Sequence, residues 1–373
     1  MLTRKPIYGR ILRTDNPQKR PPIEEIVFQP VAFPFSPHPD FAFCILHFAF
    51  RALPDNPKFE MEYIMKTTLT APAKINLFLD ITARRPNGYH EIAGVMQAIS
   101  LCDTVTLEVT EPTGMYLCSL GGHTAGAESI TLTCTNPDLP TDNRNLAWRA
   151  AEAFFAATGR GCKNLLIHIE KHIPAAAGMA GGSTNAAAVL VGLNDLFDRP
   201  MTPDQLCEVG VKLGADVPFC IRGGAMITEG IGEILTPITA MPACELVVAC
   251  GGEGVSTPAA YKALDALCGD FAPAAYTPRA DELKALKTAL WQGDLTNVCG
   301  AMFNLFEAVV LPERPVARQI KETLLEAGAI TAMMSGSGPS VFGVFPQGNG
   351  AAERARDTLA AQGIPAWVCE PMG

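Results

Sequence analysis

The chain has 373 residues, 48% hydrophobic and 18% charged, enough for two globular domains with a substantial core. Its formal net charge of −9 argues against a broad surface for nucleic-acid backbones, though not against a local basic patch, so an anionic ligand has to be held locally. The 12 cysteines form no C-x-x-C pair and no zinc spacing, which reads as buried free thiols in a reducing compartment, the cytoplasm, and no apolar run is long enough to span a membrane.

Residues 1–64 are rich in Pro, Phe and Arg and show no sustained period. They read as a non-core extension: a disordered tail, a targeting segment, or upstream sequence before a start at Met61 or Met65. Regular structure is expected from about Lys66, with a first strand over Lys74–Thr82, a turn at Arg85-Pro86-Asn87-Gly88, and separate strands over Glu91–Ser100 and Thr104–Val109. A helix is predicted over Asn145–Thr158, a strand over Asn164–Glu170 and an Ala-rich helix over Ser183–Phe197. Another helix follows over Pro203–Leu213, with Thr202 as its N-cap. After Pro237 the pattern restarts, dividing the core into residues 65–237 and 238–373. A strand at Glu245–Cys250 precedes helices near Pro258–Leu267, Ala280–Trp291 and Arg314–Ala327. The chain then reads strand, helix, strand over Ser340–Phe345, Ala351–Gln362 and Ala366–Glu370. Strands and helices alternate without a strict βαβ repeat, so the class is α+β.

Three features carry chemistry. The segment P-A-A-A-G-M-A-G-G-S-T covers Pro174, Ala175, Ala176, Ala177, Gly178, Met179, Ala180, Gly181, Gly182, Ser183 and Thr184. It joins a strand to a helix, as an anion site at a helix N-terminus requires, and phosphate is the commonest occupant of such sites. It is neither a Walker A loop nor a dinucleotide fingerprint, and glycine before a helix equally serves simple chain reversal. Lys74 lies in a half-apolar strand, where it is either an edge charge or a functional cation. Asp216, in L-G-A-D-V-P-F, is either a helix-capping carboxylate or a group that handles an acceptor hydroxyl. An aspartate beside a lysine suits phosphoryl transfer, because the cation keeps the carboxylate ionised and stabilises charge on the transferring group.

The motifs A-P-A-K-I-N-L-F-L at 71–79, the glycine segment at 174–188 and M-S-G-S-G-P-S-V-F at 334–342, in that order, resemble the GHMP kinase superfamily. The resemblance runs from about Thr67 to Glu370. It implies a two-domain fold, with an N-terminal domain like domain 2 of ribosomal protein S5 and a ferredoxin-like C-terminal domain. It also implies ATP as donor and Mg2+ beside it, reached by Ser183, Thr184 or Glu170, with no metal ligand assigned. R-R-P-N-G-Y-H-E at 84–91 resembles the branch that phosphorylates a cytidine diphosphate-bearing polyol of the non-mevalonate isoprenoid route. On that resemblance Lys74 and Asp216 are the catalytic pair and Asn76 holds the polyol. Tyr89 and Tyr261 sandwich the cytosine, His90 reads its edge, and Thr257 and Pro258 line the same pocket. Gly336, Ser337 and Gly338 form the third turn against nucleotide and substrate. Read alone, Tyr89 is a turn aromatic and His90 a surface histidine. Homoserine and mevalonate kinases are the runner-up, and Gly88-Tyr89-His90 is the feature that separates them. A catalytically dead nucleotide sensor or an RNA-binding module fits less well, given an intact Lys74 and Asp216 and the acidic balance. Ala176 and Ala180 depart from the more glycine-rich loop of many relatives.

Overall fold

A computed structural model describes residues 47–51, 62–113, 126–272 and 274–373. The first part of the chain contributes seven strands of a mixed eight-stranded sheet. Strand β1 (His47–Arg51) runs antiparallel to the start of β2 (Glu62–Arg84), and β3 (His90–Thr113) returns along β2. Part of the expected extension is therefore an edge strand, while residues 1–46 and 52–61 lie outside the described residues. After β4 (Gly126–Cys134), helix α1 (Leu146–Thr158) crosses over to β5 (Gly161–Glu170), which pairs parallel with β4. Helices α2 (Gly181–Leu196), α3 (Pro203–Gly210) and α4 (Val217–Arg222) follow, then β6 (Ala225–Glu229) and β7 (Ile234–Pro237).

The two strands expected over residues 91–109 are one. Pro72 pairs with Cys102 and Ala73 with Ile99, so Ser100 and Leu101 bulge out of the ladder without ending the strand. Ser100 exchanges hydrogen bonds of 2.9 Å with Glu370 instead.

The second part begins at β8 (Glu245–Ala249), followed by α5 (Thr257–Leu267), α6 (Ala280–Gln292) and α7 (Leu295–Ala301). Strand β9 (Phe303–Asn304) returns to pair parallel with β2 at Phe78 and Leu79. Then come α8 (Glu307–Val310), α9 (Pro315–Glu326), β10 (Thr331–Met334), β11 (Val341–Phe345), α10 (Ala351–Ala361) and β12 (Ala366–Cys369). The second sheet is antiparallel throughout, in the order β10-β11-β8-β12. With helices between its first and second and its third and fourth strands, this is the ferredoxin-like arrangement expected from the resemblance.

Local chemistry explains the helix ends. Asn145 accepts from the Ala147 amide at 3.0 Å, and Gly159 closes α1 in a left-handed conformation. Thr202 and Gln205 form a reciprocal capping box on α3, as its sequence suggests, but the helix stops at Gly210, short of Leu213. One core lies between the first sheet and α1–α4. The second sheet is buried on both faces: Val247 and Ala249 pack under α5, α9 and α10, while Leu246 and Val248 meet Ala73, Ile75 and Leu77 of β2. The two sheets thus share an apolar layer, and the site is built along its edge. Among the described residues every cysteine is a free thiol, and no helix is long and apolar enough to cross a membrane.

Candidate active site

Strand alternation places the first functional pair. Ala73, Ile75 and Leu77 point into the shared core, so Lys74 and Asn76 project from the other face. Lys74 is 4% exposed, and its Nζ donates to Asn76 Oδ1 at 2.6 Å. The lysine is therefore an inward-facing cation with a fixed direction, not an edge charge. Its amide also donates to the Met179 carbonyl at 3.2 Å, which ties the glycine segment to β2.

That segment is anchored side by side with the cation. Ala177 and Met179 are buried in the shared core, while Ala175, Ala176 and Gly182 are exposed. Gly178, at φ +75°, faces the third motif: Ser335 Oγ donates to its carbonyl at 3.1 Å, and any Cβ there would run into the Ser335 carbonyl oxygen. A Cβ on Gly336, at φ +57°, would lie 2.8 Å from the Gly178 carbonyl and 3.3 Å from Lys74 Nζ. All three sequence motifs therefore meet at one point. Asn304, 3% exposed, holds the third there, donating from Nδ2 to the carbonyls of Met334 (2.7 Å) and Gly336 (2.9 Å). Asp103, fully buried, does the same for the approach to the glycine segment. It accepts from the amides of His172 and Ile173 at 2.7 and 2.8 Å, from Asn185 Nδ2 at 2.8 Å and from Lys171.

Two alanines of the loop take left-handed backbone, Ala176 at φ +51° and Ala180 at φ +57°. The two positions that depart from glycine therefore carry backbone strain. Ala180 is also the N-cap of α2 and has no polar side chain to occupy the amides of the first turn.

Asp216 occupies the N-cap of α4 with Pro218 just inside the helix, as expected, yet its side chain makes no capping bond. The capping explanation for this carboxylate is thus removed. A Cβ on Gly214 would lie 3.7 Å from Ser183 Oγ, so the Asp216 turn borders the glycine segment. Burial pushes the Cys220 thiol up; the Asp216 charge adds to this, and Lys74 and the Thr184 hydroxyl oppose it. The two charges therefore act on one buried atom. Burial, then the Asp216 charge, pushes the Tyr261 hydroxyl up to about 12. Glu170 lines the outer face of the first sheet with Thr68 and His168. Among the described residues no group of three or more His, Cys, Asp or Glu side chains could cage a metal ion.

The aromatic end is built from side chains. Tyr89, at the hairpin between β2 and β3, is 58% exposed. His90 is no surface histidine: it is 8% exposed, its ring stacks on Tyr261 at 4.6 Å and 22°, and its Nε2 lies 2.6 Å from Asp265 Oδ1. Phe271 meets the His90 ring edge-on, and Phe306 meets Tyr261. Thr257, at the start of α5 beside Pro258, bonds Ser337 of the third motif through the two hydroxyls at 2.9 Å. Sequence reasoning missed Asp103, Asn304 and Asp265. Asn304 carries a faint signal, a single polar residue inside an apolar run; Asp265 follows Tyr261 by one helical turn.

Comparison with known proteins gives the same superfamily as the three motifs. Residues 145–224 match the GHMP kinases N terminal domain and residues 275–364 the GHMP kinases C terminal domain. The chain is 43% identical over 293 residues to a 4-diphosphocytidyl-2-C-methyl-D-erythritol kinase of Alkaliphilus metalliredigens, covering 78% of this chain and 92% of that one. It is 41% identical over 309 residues to the enzyme of the same name from Synechococcus sp. (strain JA-2-3B'a(2-13)), covering 81% and 93%. A crystal structure of 4-(cytidine 5'-diphospho)-2C-methyl-D-erythritol kinase superposes with a TM-score of 0.64 at 31% identity, over 82% of this chain and all of that one. The homoserine kinase of Cytophaga hutchinsonii, at 18% identity and a TM-score of 0.60, over 82% of this chain and 94% of that one, shares the fold. The chain belongs to the GHMP kinases, in the family of the 4-diphosphocytidyl-2-C-methyl-D-erythritol kinases.

Proposed function

We infer that this chain transfers the γ-phosphoryl group of ATP to the 2-hydroxyl of 4-diphosphocytidyl-2-C-methyl-D-erythritol, a step in the formation of isoprenoid precursors. The observation that carries this is the meeting of Lys74, Gly178 and Gly336 at one point, in a chain more than 40% identical to two kinases of that name. The donor phosphates lie along the glycine segment, on backbone amides and the open first turn of α2. Lys74, steered by Asn76, stabilises charge on the phosphoryl group in transit. Asp216, free of capping duty, accepts the hydrogen bond of the 2-hydroxyl and receives its proton as the new O–P bond forms and the bond to ADP breaks. Tyr89 and Tyr261 hold the cytosine ring between them.

Mg2+ fits here as an ion carried by the nucleotide, and the Ser183 hydroxyl would serve it better than that of Thr184, which is 1% exposed and faces Cys220. When bound, it neutralises charge on the β- and γ-phosphates. The free thiols suit a reducing cytoplasm. The test is a coupled assay with ATP, Mg2+ and the cytidylated substrate. Turnover is expected there and not with homoserine or mevalonate; the reverse pattern would overturn the assignment.

A further inference from the structure

We propose that Asp265 is the positioning residue of the nucleobase slot, selecting the cytidine end of the substrate without touching it. The proposal rests on the reading of Tyr89 and Tyr261 as the base-holding pair. Arg84 and His90 are register partners at the neck of the β2–β3 hairpin whose tip carries Tyr89. Asp265 binds both: Oδ1 lies 2.6 Å from His90 Nε2 and Oδ2 lies 3.7 Å from Arg84 Nε. Arg84 continues to Asp270 at 2.5 Å. One carboxylate on α5 therefore holds both strands of a hairpin 175 residues away.

Tyr261 stands one turn before Asp265 on α5, so the two share a face of the helix. The His90 ring lies flat on Tyr261, with Phe271 against its edge. Asp265 thus fixes the imidazole, the imidazole fixes the plane of Tyr261, and the hairpin neck fixes how far Tyr89 stands from it. Without that carboxylate, His90 Nε2 loses its partner in surroundings that are mostly aromatic. Lys74, Gly178 and Gly336 are held by other groups, namely Asn76, Ser335 and Asn304. Loss of Asp265 should therefore be felt at the base end and not at the phosphate end.

The experiment is calorimetry with CDP as probe, beside steady-state kinetics with ATP varied, on the full chain. Asp265→Ala is expected to weaken CDP binding about 10- to 50-fold and to leave the KM for ATP within about twofold, as expected for losing a hydrogen bond to a charged group at one end of the site. Asp265→Asn keeps an acceptor for His90 and should restore affinity to within about threefold of wild type. Unchanged CDP affinity in Asp265→Ala overturns the proposal, and so does a parallel loss at the ATP end. Should Asp265→Ala fail to fold, Arg84→Ala decides: severalfold weaker CDP with unchanged ATP kinetics supports the latch, and unchanged CDP affinity sinks it. A wild-type chain that binds no CDP and does not turn over the cytidylated substrate removes the functional reading as well. Wild-type binding with Asp265→Ala binding equally well removes this inference alone.

Discussion

Around Gly178 the contacts are made by main chain: a carbonyl from Met179, a carbonyl taken by Ser335, and amides left open at the start of α2. Around Tyr261 they are made by side chains: an imidazole, a carboxylate, a guanidinium and phenyl rings. Under the proposed function, the difference follows from what each end has to grip. Phosphate is small, charged and the same in every nucleotide, and preset backbone amides suit it. A base has a flat face and a particular edge, and only side chains supply matching planes. Main chain is set by the fold and tolerates little substitution at close approaches. Side-chain constellations are adjustable, which is where one GHMP kinase can differ from another.

Mutations can break or sharpen this contrast. Asp216→Ala should have the largest effect, lowering kcat about 10³-fold or more while ATP binding stays near wild type, because under the proposed mechanism it removes the group that orients and deprotonates the acceptor. Rapid-quench kinetics with a nucleotide-binding titration would check it, and a kcat near wild type would take Asp216 out of the chemistry. Gly178→Ala comes next. It places a Cβ against the Ser335 carbonyl at φ +75° and should cost about 2 kcal/mol or more of stability. In denaturant titrations and kinetics, the KM for ATP should rise at least about tenfold while CDP affinity is held. Equal damage to both ligands would mean that the two ends are one cooperative unit. Asn304→Ala leaves two buried carbonyls without a donor and should cost about 1–3 kcal/mol, with kcat falling because the third motif loosens against Lys74. Equilibrium unfolding separates this from a purely kinetic loss. The smallest effect is a gain: Ala176→Gly and Ala180→Gly each relieve left-handed backbone and should stabilise by up to about 1 kcal/mol. No change in melting temperature would show that the strain is absorbed by the loop.

The same contrast explains what could be read from the residues alone. The backbone end is legible because close approach and left-handed turns demand particular residues, so glycine segments at 174–188 and 334–342 announce themselves. Helix ends at Asn145 and Thr202 are legible for the same local reason. Asp265, Asn304 and Asp103 are not, since their partners lie 175, 30 and 69 residues distant and no local signal names those partners. His90 reads as exposed because the residues around it are polar; only docking of the hairpin on α5 buries it. The break expected at Ser100 fails similarly, because its hydrogen-bond partner is Glu370. Thr331–Met334 passes unnoticed as a strand, being short and pressed between a helix and the third motif.

The return of late segments to the first sheet has a consequence for how the protein comes into being. Strand β2, already paired with β1 and β3, gains its parallel neighbour only when residues 303–304 exist, and Ile99 of β3 pairs with Pro371. Gln97, with no exposed surface, waits for the Met241 amide at 2.9 Å and the Met372 carbonyl at 2.5 Å. At about 5–20 residues per second, translation separates Ile99 from Pro371 by tens of seconds. During that interval the strand bearing Lys74 stands with one face unfilled, exposing Ala73, Ile75 and Leu77 while the nascent chain is still on the ribosome. The first sheet is thus made first but completed last, by residues that leave the ribosome at the end of synthesis.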